Sequence, residues 1–253
     1  MNSYLVAATV FTCVFLGSLI GLWLNQLLPE HHRSQASHDA IKLGTGMISV
    51  LASLVLGLLI ANIKGSFDTT DSQIRSFAAT LIQLDQALRD YGPETANARD
   101  ELRDYTARAI EDQWPQERDR PMQMEDVSAG QELDKVHRAV LQLKPNDPQQ
   151  QALRDDALKL IETALQTRWL LIERAESSIQ PVFMIILIAW ITVIFVSFGY
   201  NAPLNATVVT AFFICSIALA ACMFMIVEMD GPFTGLITIS SHAMRNALAH
   251  MSQ

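Results

Sequence analysis

The stretch LGTGMISVLASLVLGLLIANI, residues 43 to 63, decides the fold. It carries no charge and has the roughly 20 apolar residues a helix needs to cross a bilayer. Beyond it, residues 68 to 91 place apolar groups at Ile74, Phe77, Leu81, Leu84 and Leu88. That alternation of threes and fours is one seam of an amphipathic helix. An apolar span is thus followed by a helix wet on one side, and the second is expected to continue the first.

Three further runs have the length and composition of spans: residues 4 to 27, 181 to 199 and 206 to 228. The first could be read as a secretory signal. Its apolar part is too long, it lacks a basic start, and the nearest small-x-small site, Ser34-Gln35-Ala36, lies well past its end. It is expected to be retained. Gly17 and Gly21 in it have the GxxxG spacing that lets two helices approach closely. Trp23 and Trp190 are open to either an interfacial or a packing role.

Charge separates the rest of the chain from these runs. Half of the 253 residues are hydrophobic and 17% are charged. Residues 65 to 180 hold 14 of the 18 Lys and Arg and 22 of the 26 Asp and Glu, so the net charge of −8 resides there. An acidic segment with no basic face argues against a nucleic-acid partner. Cys13, Cys215 and Cys222 all lie in apolar runs and read as small apolar residues. A disulfide-built ectodomain is excluded, because the charged segment has no cysteine.

The charged segment reads as helical throughout. Gly92-Pro93 ends the first amphipathic helix, and Thr95 can cap a second with Ala98, Leu102, Tyr105 and Ala109 on one stripe. Trp114-Pro115 stops it, and residues 115 to 127 read as a loop. Ser128 can open a third helix to about Leu143. A fourth starts near Asp147, with Leu158, Ile161, Leu165, Ile172 and Ala175 inward, and nothing breaks it before Pro181. The expected fold is all-α: an integral membrane protein with four transmembrane helices and a cytoplasmic helical bundle between spans 2 and 3. The divisions are 1–64 for spans 1 and 2, 65–180 for the bundle, 181–229 for spans 3 and 4, and 230–253 for a C-terminal interfacial amphipathic helix. In that last segment Ser240 or Ser241 is the cap, and Met244, Ala247, Leu248 and Met251 share one side, against the membrane or on the bundle.

Four spans put both termini and the bundle on one side. That side has Lys64, Arg75, Arg168, Arg174 and Arg245 near the spans, against Arg33 and Lys42 on the other, so the positive-inside rule makes it cytoplasmic.

Chemistry is sparse. The chain has no phosphate-binding GxxxxGK[ST], no GxGxxG, no GxSxG and no HExxH. No enzyme activity and no cofactor is expected. His31, His32, His38 and Asp39 in HHRSQASHD are candidate metal ligands, though no period orients them. His137 and the C-terminal His242 and His250 suggest no site. Acidic pairs such as Asp100-Glu101 and Asp155-Asp156 read as the wet faces of helices.

The informative residues are in the membrane. Val50, Leu54 and Leu58 recur every four residues near one face of the second span. Rings of such residues about an axis form apolar constrictions that gate by dewetting, while lipid or helix packing explains the same spacing equally simply. At the end of the fourth span, MIVEMDGPFT places Glu228 and Asp230 where the apolar run meets water, followed by a turn at Gly231-Pro232. These acids either anchor the turn, by accepting backbone N–H bonds or pairing with Arg174 or Arg245, or they line a vestibule with Lys64.

SLVLGLL, residues 53 to 59, resembles a stretch of the bestrophins, pentameric anion channels in which the matching helix lines the pore neck. A closer resemblance is to a bacterial family described as bestrophin-like domain proteins. It is carried by LGLLIANIKGSFD (56 to 68), LIQLDQALRDYGPET (81 to 95), TRWLLIERAESSIQPVF (167 to 183), SFGYNAPLNATVV (197 to 209) and VEMDGPFTGLITISSHAMRNAL (227 to 248). The resemblance implies a homo-oligomer, by analogy a pentamer, in a bacterial inner membrane. It implies ions, anions by analogy, as what the protein conducts, and Val50, Leu54 and Leu58 as its neck. The Arg-Trp-Trp-rich stretch that follows this helix in true bestrophins is absent, and EMDGPF is too short for the calcium clasp of the animal proteins. The rival expectation is a non-conducting scaffold or sensor whose acidic bundle docks a partner.

Overall fold

A computed structural model describes residues 2–27, 35–114, 127–175 and 181–252. These residues form eight α-helices and no strand. In chain order they are α1 (Ser3–Leu27), α2 (Gln35–Tyr91), α3 (Ala96–Gln113), α4 (Val127–Leu141), α5 (Pro148–Ala175), α6 (Pro181–Tyr200), α7 (Ala206–Asp230) and α8 (His242–Met251). A single 3-10 turn, Pro93–Thr95, joins α2 to α3. Four of the helices are long and apolar enough to cross a membrane: α1, α2, α6 and α7. As expected from the sequence, the second span and the first amphipathic helix run together, as one helix of 57 residues. The matching link between α5 and α6, the 115–126 loop and the histidines of HHRSQ lie outside the described residues.

The chain divides into two compact units, Met1–Ser66 with Ser177–Asp230 and Phe67–Glu176 with Gly231–Gln253. In the first unit, α1 packs on α6 and α7. Val6, Val10 and Val14 of α1, Met184, Leu187, Ile191 and Ile194 of α6, and Ala220, Met223 and Ile226 of α7 are buried together. Without water to expel, helices in a bilayer associate where backbones come close. Gly17 and Gly21 do face α6, as the GxxxG spacing predicts. A Cβ on Gly21 would lie 2.0 Å from the carbonyl oxygen of Val196, and one on Gly199 would lie 2.1 Å from that of Ser18. At Gly17 the nearest atom is a side-chain carbon of Thr192 at 3.0 Å. Gly21 and Gly199 therefore meet main chain on both sides, which no rotamer change can relieve.

In the second unit, the predicted seam of α2 is buried along its length: Ile74, Phe77, Leu81, Leu84 and Leu88 all face inward. Ala98, Leu102 and Tyr105 of α3, Leu133, Val136 and Val140 of α4, and Ala157, Ile161 and Ala164 of α5 complete the core. Leu171 takes the inner place toward the end of α5, where periodicity points to Ile172, which is only half-buried. Burial pushes the Tyr105 phenol above its ordinary value, with Arg168 opposing and Glu132 adding to the shift. Glu132 is itself buried and pairs with Arg108.

The α2–α3 corner differs from the expected cap. Gly92 adopts φ 132°, a conformation that favours glycine. Thr95 occupies the N-cap position of α3 without capping it. Its hydroxyl turns back toward the carbonyls of Leu88 and Gly92, at 2.5 and 2.8 Å, and closes the corner instead. Buried Asp85 braces the same corner, accepting from Arg99 Nε at 2.8 Å and from Arg89 at 3.1 Å. The bond to Asp85 holds the Arg99 guanidinium above its ordinary value.

The C-terminal segment belongs to this core. Of the two placements open in the sequence, α8 lies against α3. Met244, Ala247 and Met251 are buried on one side and Leu248 is partly so, as the spacing predicts. Arg103 donates to the carbonyl of Met251 at 2.9 Å. Trp114 donates its indole N–H to the carbonyl of Ile239 at 2.7 Å and meets Phe233 edge to face. Ser241 is the N-cap residue, but its hydroxyl accepts from Arg245 Nε rather than from the helix start. The positive φ in this loop falls on Gly235, not on Gly231.

Two stability predictions follow from these contacts. Gly21→Ala will lower the melting midpoint of the purified protein in detergent, at the cost of about 1–3 kcal/mol typical of overpacking. Gly44→Ala, where a Cβ meets nothing within 4 Å, will not lower it and will raise it by the equivalent of up to about 1 kcal/mol, the helix preference of alanine over glycine. Asp85→Ala will destabilise by about 1.5–3 kcal/mol, the worth of a hydrogen-bonded charge. Arg89 is half exposed and recovers water, so the loss will lie at the low end; urea unfolding followed by circular dichroism reads it.

Candidate pore neck and membrane-end acids

The first unit contains one helix that its neighbours barely cover. Only 11% of the apolar window of α2 is buried, against 39% for α1 and 33% for α6. Its contacts form a single stripe. Ala52 and Ile63 are buried, Leu56 and Leu59 pack beside them, and Thr45 bonds Ser197 of α6 hydroxyl to hydroxyl at 2.6 Å. Ile41 and Ser49 are partly buried, and the other residues from Asp39 to Ser66 are exposed.

The three sequence-predicted neck residues lie on the open side. Val50 is 70% exposed, Leu54 69% and Leu58 63%. At about 100° of turn per residue, they fall between about 120° and 160° round the helix from Ala52. They point away from their own unit as a set. Polar groups nearby are satisfied within the helix: Ser49 bonds to the carbonyl of Thr45 and Ser53 to that of Ser49, at 2.7 and 2.8 Å. The open face therefore offers a column of aliphatic side chains, with no charge between Lys42 and Lys64. Such a surface can exclude water but cannot bind an ion by coordination.

Glu228 and Asp230 end α7, and the structure separates them. Asp230 is half-buried, whereas Glu228 is only 4% exposed. A hydrated Glu228 is what its place at the membrane boundary predicts. Instead it turns inward and accepts a hydrogen bond from the hydroxyl of Ser3, at the start of α1. A buried carboxylate needs such donors, because an unpaired one costs several kcal/mol. Lys64, near the end of this unit's share of α2, is exposed. Arg174, the other offered partner, lies outside the described side chains.

Sequence reasoning missed Ser3 and Gly199. The Ser3–Glu228 bond joins positions 225 residues apart, and nothing local marks either end. Gly199 had a signal, since a GxxxG face needs a small residue opposite it. Among the described residues no group of three His, Cys, Asp or Glu side chains converges as a metal site.

The bestrophin-like domain family model matches residues 12–244, and the chain belongs to that family. No curated protein and no solved structure matches it.

Ser3→Ala removes one donor to a buried carboxylate. It will lower the melting midpoint by the equivalent of about 1–3 kcal/mol, and Ser3→Thr, which keeps the hydroxyl, will recover most of it.

Proposed function

We propose that this member of the bestrophin-like family is an oligomeric ion channel, with α2 of each copy lining a common axis and Val50, Leu54 and Leu58 forming an apolar neck. The observation that supports this best is the position of the three residues. They stand on the open face of the least covered of the four described spans, turned away from its own helices. A single unit has no charged path through its spans, so an axis between copies is the place for ions to cross. The family's likeness to the bestrophins, which are anion channels, supports a channel over an enzyme. Five copies and a preference for anions are what the resemblance to bestrophins implies.

The excess of Lys and Arg near one end of the spans supports placing both termini and the 67–176 unit in the cytoplasm, and a bacterial inner membrane is what the resemblance implies. In that orientation Glu228, Asp230 and Lys64 stand at the cytoplasmic end of the neck. The bond from Ser3 favours Glu228 as an anchor of the α7 end over a vestibule charge.

Purified protein in liposomes will pass ions, and ion substitution will name them. Leu54→Ala removes the bulk at the middle of the neck and will raise conductance several-fold. Ion-tight liposomes across a range of pH, calcium and voltage would sink the channel reading. They would favour a scaffold, whose mark is a cytoplasmic partner lost on deleting residues 92–148.

A further inference from the structure

Aliphatic side chains exclude water without regard to the sign of an ion, so a neck of valine and leucine does not by itself separate cations from anions. Discrimination has to come from charges beside it. The resemblance implies anions. The charges of this chain can be read independently, and they point the other way.

The neck lies on a helix that runs on without a break to Tyr91. Steps of three and four from Leu54 reach Leu58, Ala61, Gly65 and Asp68, and then Ser72 and Ser76. At about 100° per residue, all of these fall within about 40° of Leu54 round the helix. All are exposed, and the same spacing carries the strip on to Gln86. It is the side of α2 opposite the buried seam of Ile74 to Leu88.

From Val50 to Gln86 this strip carries one charge, that of Asp68. Asp68 is ten residues beyond Leu58, about 15 Å along the helix. The nearby bases stand off the strip. Arg75, about 60° round from Leu54, is held by Asp71 at 2.9 Å. Lys64, one turn before Asp68, is about 80° round. Against that lysine, α7 brings Glu228 and Asp230 to its own end. Residues 65 to 180 then add 22 Asp and Glu against 14 Lys and Arg. Acid outweighs base at every step outward from the neck. A passage walled by protein focuses such a field and concentrates ions of opposite sign. Rings of acidic side chains are also the usual means by which channels select cations.

We propose that the channel prefers cations, and that Asp68 of each copy sets this preference beyond the cytoplasmic end of the neck. The inference rests on the reading that α2 lines a common axis, and it names the class of ion that crosses there.

The test uses purified full-length protein in planar bilayers under an about tenfold gradient of potassium chloride, kept at or below about 0.1 M, where the screening length is about 10 Å. The reversal potential gives the ratio of potassium to chloride permeability. In the unaltered protein that ratio will exceed about three, at the low end of what focused charge supplies. Asp68→Lys will lower it at least about threefold, and Asp68→Asn will lower it less. Asp68→Glu, which keeps the charge, will preserve it. Asp155→Lys makes the same change of charge on the outer face of α5 and will leave the ratio within about a factor of 1.5, since its charge lies off the α2 strip. Raising the salt to about 1 M, where the screening length is about 3 Å, will shrink the preference.

Each variant is first shown to keep the oligomer mass of the unaltered protein, and Asp68→Asn carries the test if Asp68→Lys does not assemble. Chloride permeability equal to or above that of potassium would overturn the proposal while leaving the channel intact. Equal effects of Asp68→Lys and Asp155→Lys would remove Asp68 from its role. Bilayers that stay ion-tight refute the channel reading, and the preference falls with it.

Discussion

The membrane unit depends on the main-chain contact between α1 and α6. Hydrocarbon gives helices no reason to associate through greasiness, so contact has to come from shape. Gly21 against Val196 and Gly199 against Ser18 supply it, each glycine lying where a methyl group would strike a carbonyl oxygen. With α1 and α6 held this way, α7 closes on α1, and the valine row of α1 is buried at Val6, Val10 and Val14. The inward turn of Glu228 follows, because Ser3 is brought to it by the same helix.

The helix left out of this arrangement is α2, and its isolation gives it significance. A span that packs on its own chain through one stripe contributes little to holding the unit together. It keeps four glycines and a column of large aliphatic residues on its open side. The same poverty of internal contact makes α2 the available surface for lining an axis or meeting another copy. In the second unit the apolar side of α2 is covered. The seam of α2 from Ile74 to Leu88 is wholly buried, and the charges around it are settled by local pairs such as Asp85 with Arg99.

Much of this was legible in the sequence because the two solvents leave different marks. Uncharged runs gave the spans, and the three-four spacing of Ile74 through Leu88 gave the bundle seam, since a helix wet on one side must repeat its apolar residues. The paired glycines of α1 were readable for the same reason. Three things were not. Thr95 looked like a cap because its type suits a helix start, but the glycine turn before it rotates the hydroxyl back onto α2. Glu228 looked hydrated because charge at the end of a span usually is, and its donor lies at the far end of the chain. The open flank of α2 was invisible, because sequence spacing alone does not distinguish a face covered by the same chain from one that is bare.

The distribution of these contacts along the chain also constrains its synthesis. The core of the 67–176 unit includes Phe233, Ile239, Met244, Ala247 and Met251, which leave the ribosome only after α6 and α7. Until then α3 lacks the helix that covers it, and Trp114 and Arg103 lack their acceptors. The membrane unit waits in the same way, for the last turn of α7 to reach Ser3. Neither unit closes early, so nascent chains carry unfinished apolar surface for most of translation, the period in which aggregation competes with folding. Removing α8 would leave that surface open permanently and expose such chains to quality-control proteases.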